Sequence, residues 1–496
     1  MLLLLLFTTF LAWLIVRQYR KVSRLPPGPL AIPLLGNLPQ IGFYLWKTGG
    51  IVPMLDLMRK RYGNVFTLWL GPIPHVSIAD YETSHEVFVK NATKYADKAH
   101  PELFEEIRQG HGVIATNGEV WQELRRFSLL AFRNMGVGRD LMETKIMEEL
   151  DARCADIDKQ AINGVTITHA SNFFDLTVGS IINSILVGYR FEEDNKDEFL
   201  KIKNALDESA AVFSPFDMSI PVWALKKFFP KRYNLVVDSQ NAVTDFVAKD
   251  AVERLEKIKK GSYSVDPNNV KDYTDAFILK MQQDDGKKDS VYSVENLKFM
   301  LNDLWSTGQE TTTTTLISAF NQLLLNPQVM EKARKELLSV TDNNARPLSL
   351  TDKNSTPYLN AVIGEIQRHA SILNVSFWKI NHEFTHIGGH PVDANSLITA
   401  QLSVLHLNDT IFESPEIFDP ERFIKNEKLL QQIIPFGVGK RSCLGEALAR
   451  AELYLIIGNL LLRYHFKPYG KLSTVQLLPF TTAKRPFKLE MQFVKI

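Results

Sequence analysis

The residue best placed for chemistry is a cysteine at the mouth of a predicted helix. Cys443 is one of only two cysteines in the 496 residues, and it comes just before a helix expected from Glu446 to about Leu462. The free N–H groups of that helix point back at the sulfur, and a cation lies close in sequence, Lys440 or Arg441. Both effects favour a thiolate over a thiol. A thiolate held in this way serves either as a ligand for a soft metal or as a nucleophile.

The loop before the cysteine favours the metal. Gly437 and Gly439 allow the backbone to approach a large flat object or to adopt dihedral angles that other residues avoid. Phe436 suits the face of such an object, and Arg441 suits a carboxylate at its edge. An iron porphyrin offers both a face and propionates. The competing interpretation is that Cys443 is a small buried apolar residue, as most lone cysteines are.

The stretch Phe436–Gly445 resembles the Phe-Gly-x-Gly-x-Arg-x-Cys-x-Gly signature of the cytochrome P-450 haem-thiolate monooxygenases, and it matches at every fixed position. The resemblance implies haem b as cofactor, with Cys443 as the axial iron ligand. It also implies that Phe436 and Arg441 contact the haem, Arg441 through a propionate.

Three further residues resemble the haem contacts of this family. Trp121 and Arg125 lie one turn apart on one face of a predicted helix, which alone is an ordinary surface or core pattern. The pair resembles the family's Trp-x-x-x-Arg motif, which implies that both address a propionate. Lys379 stands where many relatives carry an arginine or a histidine for the same purpose. A lysine supplies the charge but not the arginine fork.

A threonine-rich helix is the candidate for proton delivery. The helix expected over Leu304–Asn321 contains Gly308 and five consecutive threonines from Thr311, and we expect a local bulge beside Glu310 and Thr311. An acid next to an alcohol makes a proton relay, although the same pattern fits a buried threonine face. The segment resembles the family's oxygen-activating helix, with Thr307 in place of a small residue. That replacement narrows the space above the iron or adds a hydrogen bond there.

Two separated motifs indicate a structural charge network. Glu365 and Arg368 have the spacing of the family's Glu-x-x-Arg, and Arg422 belongs to Pro-Glu-Arg-Phe. In isolation the first pair is an ordinary surface ion pair. The resemblance implies that the three side chains form a buried network that holds the haem-binding core.

A zinc-protease motif also occurs and is rejected. His382 and His386 satisfy His-Glu-x-x-His. The surrounding sequence predicts strand, turn and strand, and residues four apart in a strand are about 13 Å from each other. They cannot chelate one ion.

The N-terminus predicts a membrane anchor. Met1 to Val16 is almost wholly apolar and is followed by Arg17, Arg20, Lys21 and Arg24. As a helix it spans about 22 Å, short of the roughly 30 Å hydrocarbon core. A cleaved signal is the alternative, but no charged region precedes the run and no Ala-x-Ala-like site follows it. The basic flank predicts a luminal N-terminus and a cytoplasmic body.

We therefore expect three segments: an anchor with its basic flank over 1–24, a proline-rich linker over 25–45, and a monooxygenase domain over 46–496. The resemblance places the anchor in the endoplasmic reticulum membrane. The sequons at Asn91, Asn354, Asn374 and Asn408 should then be unmodified, because the body does not enter the lumen.

Composition is that of a globular protein with a sizeable core. Apolar residues make up 45% and charged residues 23%, and the net charge of +1 gives no reason to expect nucleic acid as a partner. Cys154 and Cys443 allow one disulfide at most, and none if Cys443 binds a metal. A reducing compartment fits.

The pattern of elements predicts a mainly α fold with small β-sheets. We expect a helix over Val52–Tyr62, strands over Val65–Leu70 and Pro74–Ala79, and long helices from Tyr81 to about Leu338. The resemblance implies the cytochrome P-450 fold, with haem between the oxygen-activating helix and the cysteine-bearing helix.

The substrate cavity is assigned by family position alone. The candidates are the stretch from Lys98 to Val113, Phe213, Asn302, Trp305, Ser306, Val375 and Phe480-Thr481-Thr482. The apolar cluster from Phe213 to Phe229 suits a membrane surface, a substrate entrance or core packing.

The resemblance, closest to the animal microsomal xenobiotic-metabolising clan including its nematode members, implies insertion of one oxygen atom from O2 into a small lipophilic substrate: a xenobiotic, fatty acid or steroid. Electrons would come from NADPH through NADPH–cytochrome reductase, with cytochrome b5 as a further donor. Cations that suit such an acidic partner are Arg125, Arg126, Arg133 and Lys440. Two alternatives stay open: a reductase-independent haem-thiolate isomerase, and a non-catalytic sensor that binds haem or lipophiles.

Overall fold

A computed structural model describes residues 1–136, 140–212, 220–287, 289–473, 483–484 and 488–496. Helices account for most of the secondary structure, as expected for a mainly α fold. In chain order they are α1 (Leu2–Val22), α2 (Leu38–Thr48), α3 (Ile51–Tyr62), α4 (Tyr81–His85), α5 (Glu102–Arg108), α6 (Gly112–Ala115), α7 (Gly118–Asn134), α8 (Asp140–Lys159), α9 (Ala170–Leu186), α10 (Lys196–Val212), α11 (Val222–Phe228), α12 (Pro230–Lys259), α13 (Tyr273–Gln283), α14 (Val294–Leu325), α15 (Pro327–Val340), α16 (Pro357–Ala370), α17 (Leu402–His406), α18 (Glu421–Lys425) and α19 (Glu446–Arg463). A π-helical turn covers Glu86–Lys90, and 3₁₀ turns cover Leu350–Ser355 and Glu427–Gln432.

The strands form small sheets at the edges of the helical body. They are β1 (Val65–Leu70), β2 (Ile73–Ile78), β3 (Val165–His169), β4 (Lys379–Ile380), β5 (Thr385–Ile387), β6 (His390–Val392), β7 (Leu397–Ala400), β8 (Tyr464–Pro468) and β9 (Glu490–Lys495). One sheet has the order β1-β2-β7-β4, a second β3-β9-β8, and the third is the hairpin β5-β6. Strands β1 and β2 are antiparallel, with Val65 opposite Ile78, whereas β2 and β7 are parallel.

The long helix α14 crosses the core. Its first turn is capped by the Ser293 hydroxyl, which accepts from the backbone N–H of Asn296 at 3.1 Å. At 32 residues it extends about 48 Å, longer than the sequence pattern predicts. It packs against α9, α12, α16 and α19. The apolar residues on these helices form the largest buried cluster.

The proline-rich segment packs on the first sheet. The backbone N–H of Thr67 donates to Pro27 O at 2.9 Å, and its hydroxyl donates to Pro26 O at 2.9 Å. A Cβ on Gly28 would lie 2.0 Å from Thr67 O, so only glycine allows this approach. Helix α2 then runs across residue 45, so the predicted linker boundary lies inside a helix.

The apolar N-terminus forms α1, which continues into the basic flank and ends at Val22, before Arg24. Within the described residues, no helix combines the length and the apolar character needed to cross a membrane.

The histidine motif adopts the predicted strand, turn and strand. His386 lies in β5, which pairs with β6, and His382 lies before it with Nε2 3.0 Å from Asp97. The described part of the chain holds no cluster of three or more side chains suited to a metal. His382 and His386 therefore do not share the face of a helix, which the zinc-protease pattern requires.

Candidate active site

A cavity of about 390 Å³ separates α14 from the cysteine loop and the start of α19. We call it the central cavity. Of the residues predicted to bind the cofactor, all line it: Trp121, Arg125, Lys379, Phe436, Arg441 and Cys443. Thr311 lines it from the opposite side. The structure thus brings together residues that are more than 300 positions apart in sequence.

The cysteine loop is held in one shape by its backbone. Gly437 and Gly439 have φ angles of 67° and 84°, which glycine adopts without strain. A Cβ on Gly439 would lie 1.7 Å from Phe88 O, so this position also requires the close approach that only glycine permits. The backbone N–H of Cys443 donates to Phe436 O at 2.9 Å. These constraints place the sulfur at the cavity wall.

Burial raises the pKa of the Cys443 thiol, and this effect outweighs the lowering by the backbone N–H of Gly445 and by the Arg125 charge. The helix mouth does favour the thiolate, as the sequence predicts, but the cation that acts on the sulfur is Arg125 rather than Lys440 or Arg441. The net direction leaves the thiolate dependent on a bound metal, because a coordinated thiol is deprotonated.

Arg441 is anchored on three sides. Its Nε donates to Ala96 O at 2.6 Å, its Nη2 donates to Thr116 O at 3.0 Å and to Asn117 Oδ1 at 2.7 Å, and its guanidinium carbon lies 3.7 Å from the centre of the Trp121 ring. Its Nη1 is buried and has no hydrogen-bond partner within the described residues. This leaves the two N–H groups of Nη1 available to a ligand in the cavity.

Two buried lysines face the same region. Lys98 and Lys379 are opposite each other in an antiparallel bridge, and both are more than nine-tenths buried. Lys379 Nζ donates to Ser376 Oγ at 3.1 Å and lies 4.4 Å from the centre of the Phe88 ring. Burial lowers the pKa of each lysine to about 7, and the neighbouring Arg441 charge adds to the effect. Sequence reasoning identified Lys98 only as the edge of a substrate stretch and missed its place beside Lys379.

These cations fit a haem. Lys98, Arg125, Lys379 and Arg441 converge on the cavity, and in the part of the chain that the structure describes none has a carboxylate within ion-pair distance. Asp303 and Asp97 act on Lys98 and Arg441 from further away, and burial still lowers the pKa of both cations. Buried charges without counter-charges are costly. A flat dianionic ligand would supply negative charge to this group of cations, and the unpartnered Nη1 of Arg441 fits such a ligand. The glycine loop and the Cys443 sulfur complete a site for the face and the iron of a porphyrin.

The cavity face of α14 carries a row of hydroxyls at intervals of four residues. Thr307 Oγ1 donates to Asp303 O at 2.6 Å, Thr311 Oγ1 to Thr307 O at 2.7 Å, and Thr315 Oγ1 to Thr311 O at 2.7 Å. These three threonines and Asp303 all line the cavity. These bonds let threonines remain in a regular helix. The predicted bulge beside Gly308 is therefore absent: α14 is continuous there, and a Cβ on Gly308 would meet Ile182 Cδ1 at 2.7 Å.

Glu310 does not line the cavity. It lies on another face of α14, with Oε1 3.1 Å from Lys203 Nζ, and Lys203 also bridges Asp207 at 2.7 Å and Asp175 at 3.6 Å. Burial raises the pKa of Glu310 while the Lys203 charge lowers it. The structure thus separates the predicted acid from the predicted alcohol, because an ion-pair partner from α10 holds the carboxylate.

The substrate wall differs from the prediction. Lys98 and Val113 line the cavity, but Asn302, Trp305, Ser306 and Val375 do not. Trp305 is fully buried against Phe199 and Phe246. Phe213 and the 480–482 turn lie outside the described residues. The apolar wall consists mainly of residues that sequence reasoning missed: Ile114, Ile182, Ile185, Leu186, Leu304, Ile372 and Leu373.

The predicted charge network is present. Both Glu365 oxygens accept from Arg368 at 2.7 Å, and Arg422 Nε donates to Glu365 Oε1 at 3.2 Å. Arg368 also donates to His406 O at 3.0 Å and to Pro415 O at 2.8 Å. The network ties α16 to the chain that leads into the cysteine loop.

Comparisons with known proteins agree with this site. The family model for cytochrome P450 matches residues 26–491. A protein described as probable cytochrome P450 cyp-35D1 of Caenorhabditis elegans is 49% identical over 501 residues, covering 100% of each chain. Cytochrome P450 2B4 of Oryctolagus cuniculus is 33% identical, covering 93% of this chain and 92% of its own. Cytochrome P450 2C14 of the same species is 32% identical, covering 95% of this chain and 93% of its own. The chain therefore belongs to the cytochrome P450 family, as its motifs predict, and is a monooxygenase that uses haem b.

Proposed function

We propose that this monooxygenase oxidises small lipophilic molecules, such as xenobiotics, fatty acids or steroids, with electrons that a flavoprotein reductase takes from NADPH. The observation that carries the proposal is the central cavity, which joins the Cys443 sulfur, the Thr311 hydroxyl and an apolar wall in one chamber. Pockets of this size and character take small ligands by burying apolar surface.

The chain's own residues bind and orient the cofactor. Cys443 would hold the iron, and Trp121, Arg125, Lys379 and Arg441 would hold the propionates, with Lys98 as a further cation. Phe436 packs beside the loop, with the Arg450 guanidinium 4.8 Å from its ring centre. Haem, when bound through a thiolate, supplies the oxygen chemistry.

Thr311 and Glu310 are proposed to supply protons. The Thr311 hydroxyl donates to Thr307 O, so its oxygen is left as a hydrogen-bond acceptor. Glu310 acts from the outer face of α14 and becomes available when its ion pair with Lys203 opens. Proton supply by Glu310 therefore depends on the opening of this ion pair.

The shape of the substrate space depends on α14. Thr307 stands where the motif that this segment resembles has a small residue, and its side chain lines the cavity with the hydroxyl turned to Asp303 O. It therefore narrows the space above the cofactor without presenting a free hydroxyl proton to the substrate.

The protein is proposed to work at the cytoplasmic face of the endoplasmic reticulum membrane, held by α1 and its basic flank. Arg126, Arg133 and Lys440 are exposed and offer positive charge to an acidic reductase or to cytochrome b5, although Arg126 pairs with Glu123 at 2.6 Å. Long-range electrostatic attraction between opposite charges speeds the encounter of two proteins.

The test uses holoprotein with purified reductase. A lipid extract and a panel of drugs are first screened for spin-state shifts, and the positive compounds are incubated with NADPH and isotopically labelled O2. One labelled oxygen atom in the product supports the proposal, with the Cys443→Ser protein as inactive control. Spin-state shifts without any NADPH-dependent product from the wild-type protein contradict it.

A further inference from the structure

A buried histidine outside the predicted site joins the charge network to the cysteine loop. His406 is the last residue of α17 and is 0% exposed. Its backbone oxygen accepts from Arg368 Nη1 at 3.0 Å, and Arg368 is paired with Glu365. Its ring nitrogens make two further hydrogen bonds, one to Ser371 and one to Ile434. His406 is therefore bonded both to the network and to the chain that enters the loop.

The two ring contacts allow one form of the imidazole. The backbone N–H of Ile434 lies 2.9 Å from Nε2 and can only donate, so Nε2 is an acceptor. The ring proton is then on Nδ1, which donates to Ser371 Oγ at 2.9 Å. Burial lowers the pKa of His406 to about 3, and the Arg368 and Lys484 charges add to this effect. The ring is neutral, and both of its nitrogens have a partner.

Ile434 begins the turn that leads into the cysteine loop. Its oxygen accepts from the backbone N–H of Gly437 at 2.9 Å, and Phe436 O, inside that turn, accepts from the backbone N–H of Cys443 at 2.9 Å. Ile434 is 5% exposed and lines the central cavity. Its own N–H is bonded to a side chain 28 positions earlier in the sequence, that of His406. A shift of Ile434 therefore moves the turn that carries Phe436 and, through it, Cys443.

A second buried histidine shows what a purely packed ring looks like. Burial lowers the pKa of His75 to about 3, as it does for His406. The Nδ1 of His75 has no hydrogen-bond partner within the described residues, and its ring packs edge-on against Trp378, with 5.5 Å between the ring centres. The His406 ring instead accepts a backbone N–H that is itself buried. Loss of such an acceptor leaves the donor unsatisfied, which costs free energy.

We propose that His406 is a positioning residue for Cys443: its neutral imidazole fixes Ile434 at the entrance of the cysteine loop and so holds the sulfur where it can bind the haem iron. The proposal rests on Cys443 as the iron ligand and goes beyond it, because His406 itself does not line the cavity. The positioning needs an acceptor at the place of Nε2. The Nδ1–H bond to Ser371 keeps the ring in the tautomer that supplies this acceptor.

Two amide side chains separate these two contacts. In His406→Gln the longer side chain can place an oxygen near the position of Nε2 and accept from Ile434, whereas the shorter side chain of His406→Asn reaches only the position of Nδ1. Both variants keep the backbone oxygen that accepts from Arg368. His75→Gln and His75→Asn are the control pair for loss of a buried histidine.

The first measurement is amide hydrogen exchange of the haem-bound protein, read by mass spectrometry of the peptide that contains Ile434. Pro435 has no amide hydrogen, so a short peptide reports few sites. We expect the Ile434 amide to exchange slowly in the wild-type and His406→Gln proteins and roughly tenfold faster in His406→Asn, the effect of one lost hydrogen bond. Equal rates in the two His406 variants overturn the proposal.

The second measurement reports on the sulfur. The reduced protein is treated with carbon monoxide, and the Soret band of thiolate-bound haem is compared with the blue-shifted band of haem that has lost the thiolate. We expect the ratio of lost to bound form to rise roughly tenfold in His406→Asn and to stay within about twofold of wild type in His406→Gln and both His75 variants. An unchanged ratio in His406→Asn overturns the proposal, even where the Ile434 amide exchanges faster.

A milder variant guards against misfolding of the His406 variants. Ser371→Ala keeps the imidazole and removes only the acceptor that fixes its tautomer. We expect it to move both measurements in the direction of His406→Asn, but by less, and no movement in either contradicts the assigned tautomer. If the wild-type protein shows no thiolate band, Cys443 is not the ligand and the proposal fails with it, while the exchange rates still decide whether His406 holds Ile434.

Discussion

At the scale of single residues, the proposed chemistry depends on Cys443, because its side chain lies at the wall of the central cavity, next to the glycine loop. We expect Cys443→Ser to abolish the thiolate-haem Soret band of the reduced, carbon-monoxide-treated protein, since a serine hydroxyl is a poor iron ligand. Cys154→Ser is the control: Cys154 is buried on α8 and does not line the cavity. A normal band in Cys443→Ser would rule out the assigned ligand.

The lysines make a separate prediction about cofactor retention. Lys379→Met should release haem roughly ten- to a hundredfold faster, because one charge-assisted hydrogen bond contributes roughly 1.5 to 3 kcal/mol. Lys379→Arg keeps the charge and should stay near the wild-type rate. The rate is measured by transfer of haem to excess apomyoglobin, with the exposed Lys440→Met as control. Identical rates for the methionine and arginine variants would show that Lys379 does not hold the cofactor.

At the scale of elements, the hydrophobic periodicity of the sequence predicted the helices and strands that depend on local sequence pattern. Strand β1, helix α3 and helix α19 begin and end within a residue or two of the sequence expectation. The ion pair between Glu310 and Lys203 could not be predicted from the sequence, because Lys203 is more than 100 positions away and only the packing of α10 on the core brings it to Glu310. Glu452, which is buried and lines the cavity, was also not predicted, because it lies within the apolar run of α19. The i+4 spacing of Asp303, Thr307, Thr311 and Thr315 was a visible signal for the cavity face.

The network between α16 and the chain before the cysteine loop predicts a large effect from a small change. Glu365→Gln leaves Arg368 and Arg422 buried without their carboxylate, so we expect the free energy of unfolding to fall by about 3 to 5 kcal/mol. The control is Glu421→Gln, which breaks the more exposed pair with Lys332 and should change stability by at most about 1 kcal/mol. Loss of Soret absorbance on heating or in denaturant measures both. Equal shifts would show that burial of the network is unimportant.

At the scale of the whole molecule, the helical core and the small sheets place the cysteine loop, the Trp121 and Arg125 pair and the threonine face of α14 around one cavity. In the part of the chain that the structure describes, no residue of α1 or its basic flank lines that cavity, so the proposed membrane orientation can be tested independently of the active-site geometry. Glycosylation of a sequon would show on which side of the membrane the body lies, but the sequons are not equally accessible. Asn374 and Asn408 are buried and hydrogen-bonded, whereas Asn354 is exposed in the 3₁₀ turn Leu350–Ser355.

Asn354 therefore gives a sharp test of orientation. In cells with an endoplasmic reticulum, the full chain should carry no glycan, because a cytoplasmic body never meets the glycosylating enzyme. Replacing residues 1–24 by a cleavable secretory signal sends the same body into the lumen, where we expect a glycan at Asn354. That glycan should disappear in Asn354→Gln and on treatment with an amidase that removes N-linked sugars. A glycan on the unaltered chain would place the body in the lumen, where a cytoplasmic reductase cannot reach the cysteine-side surface.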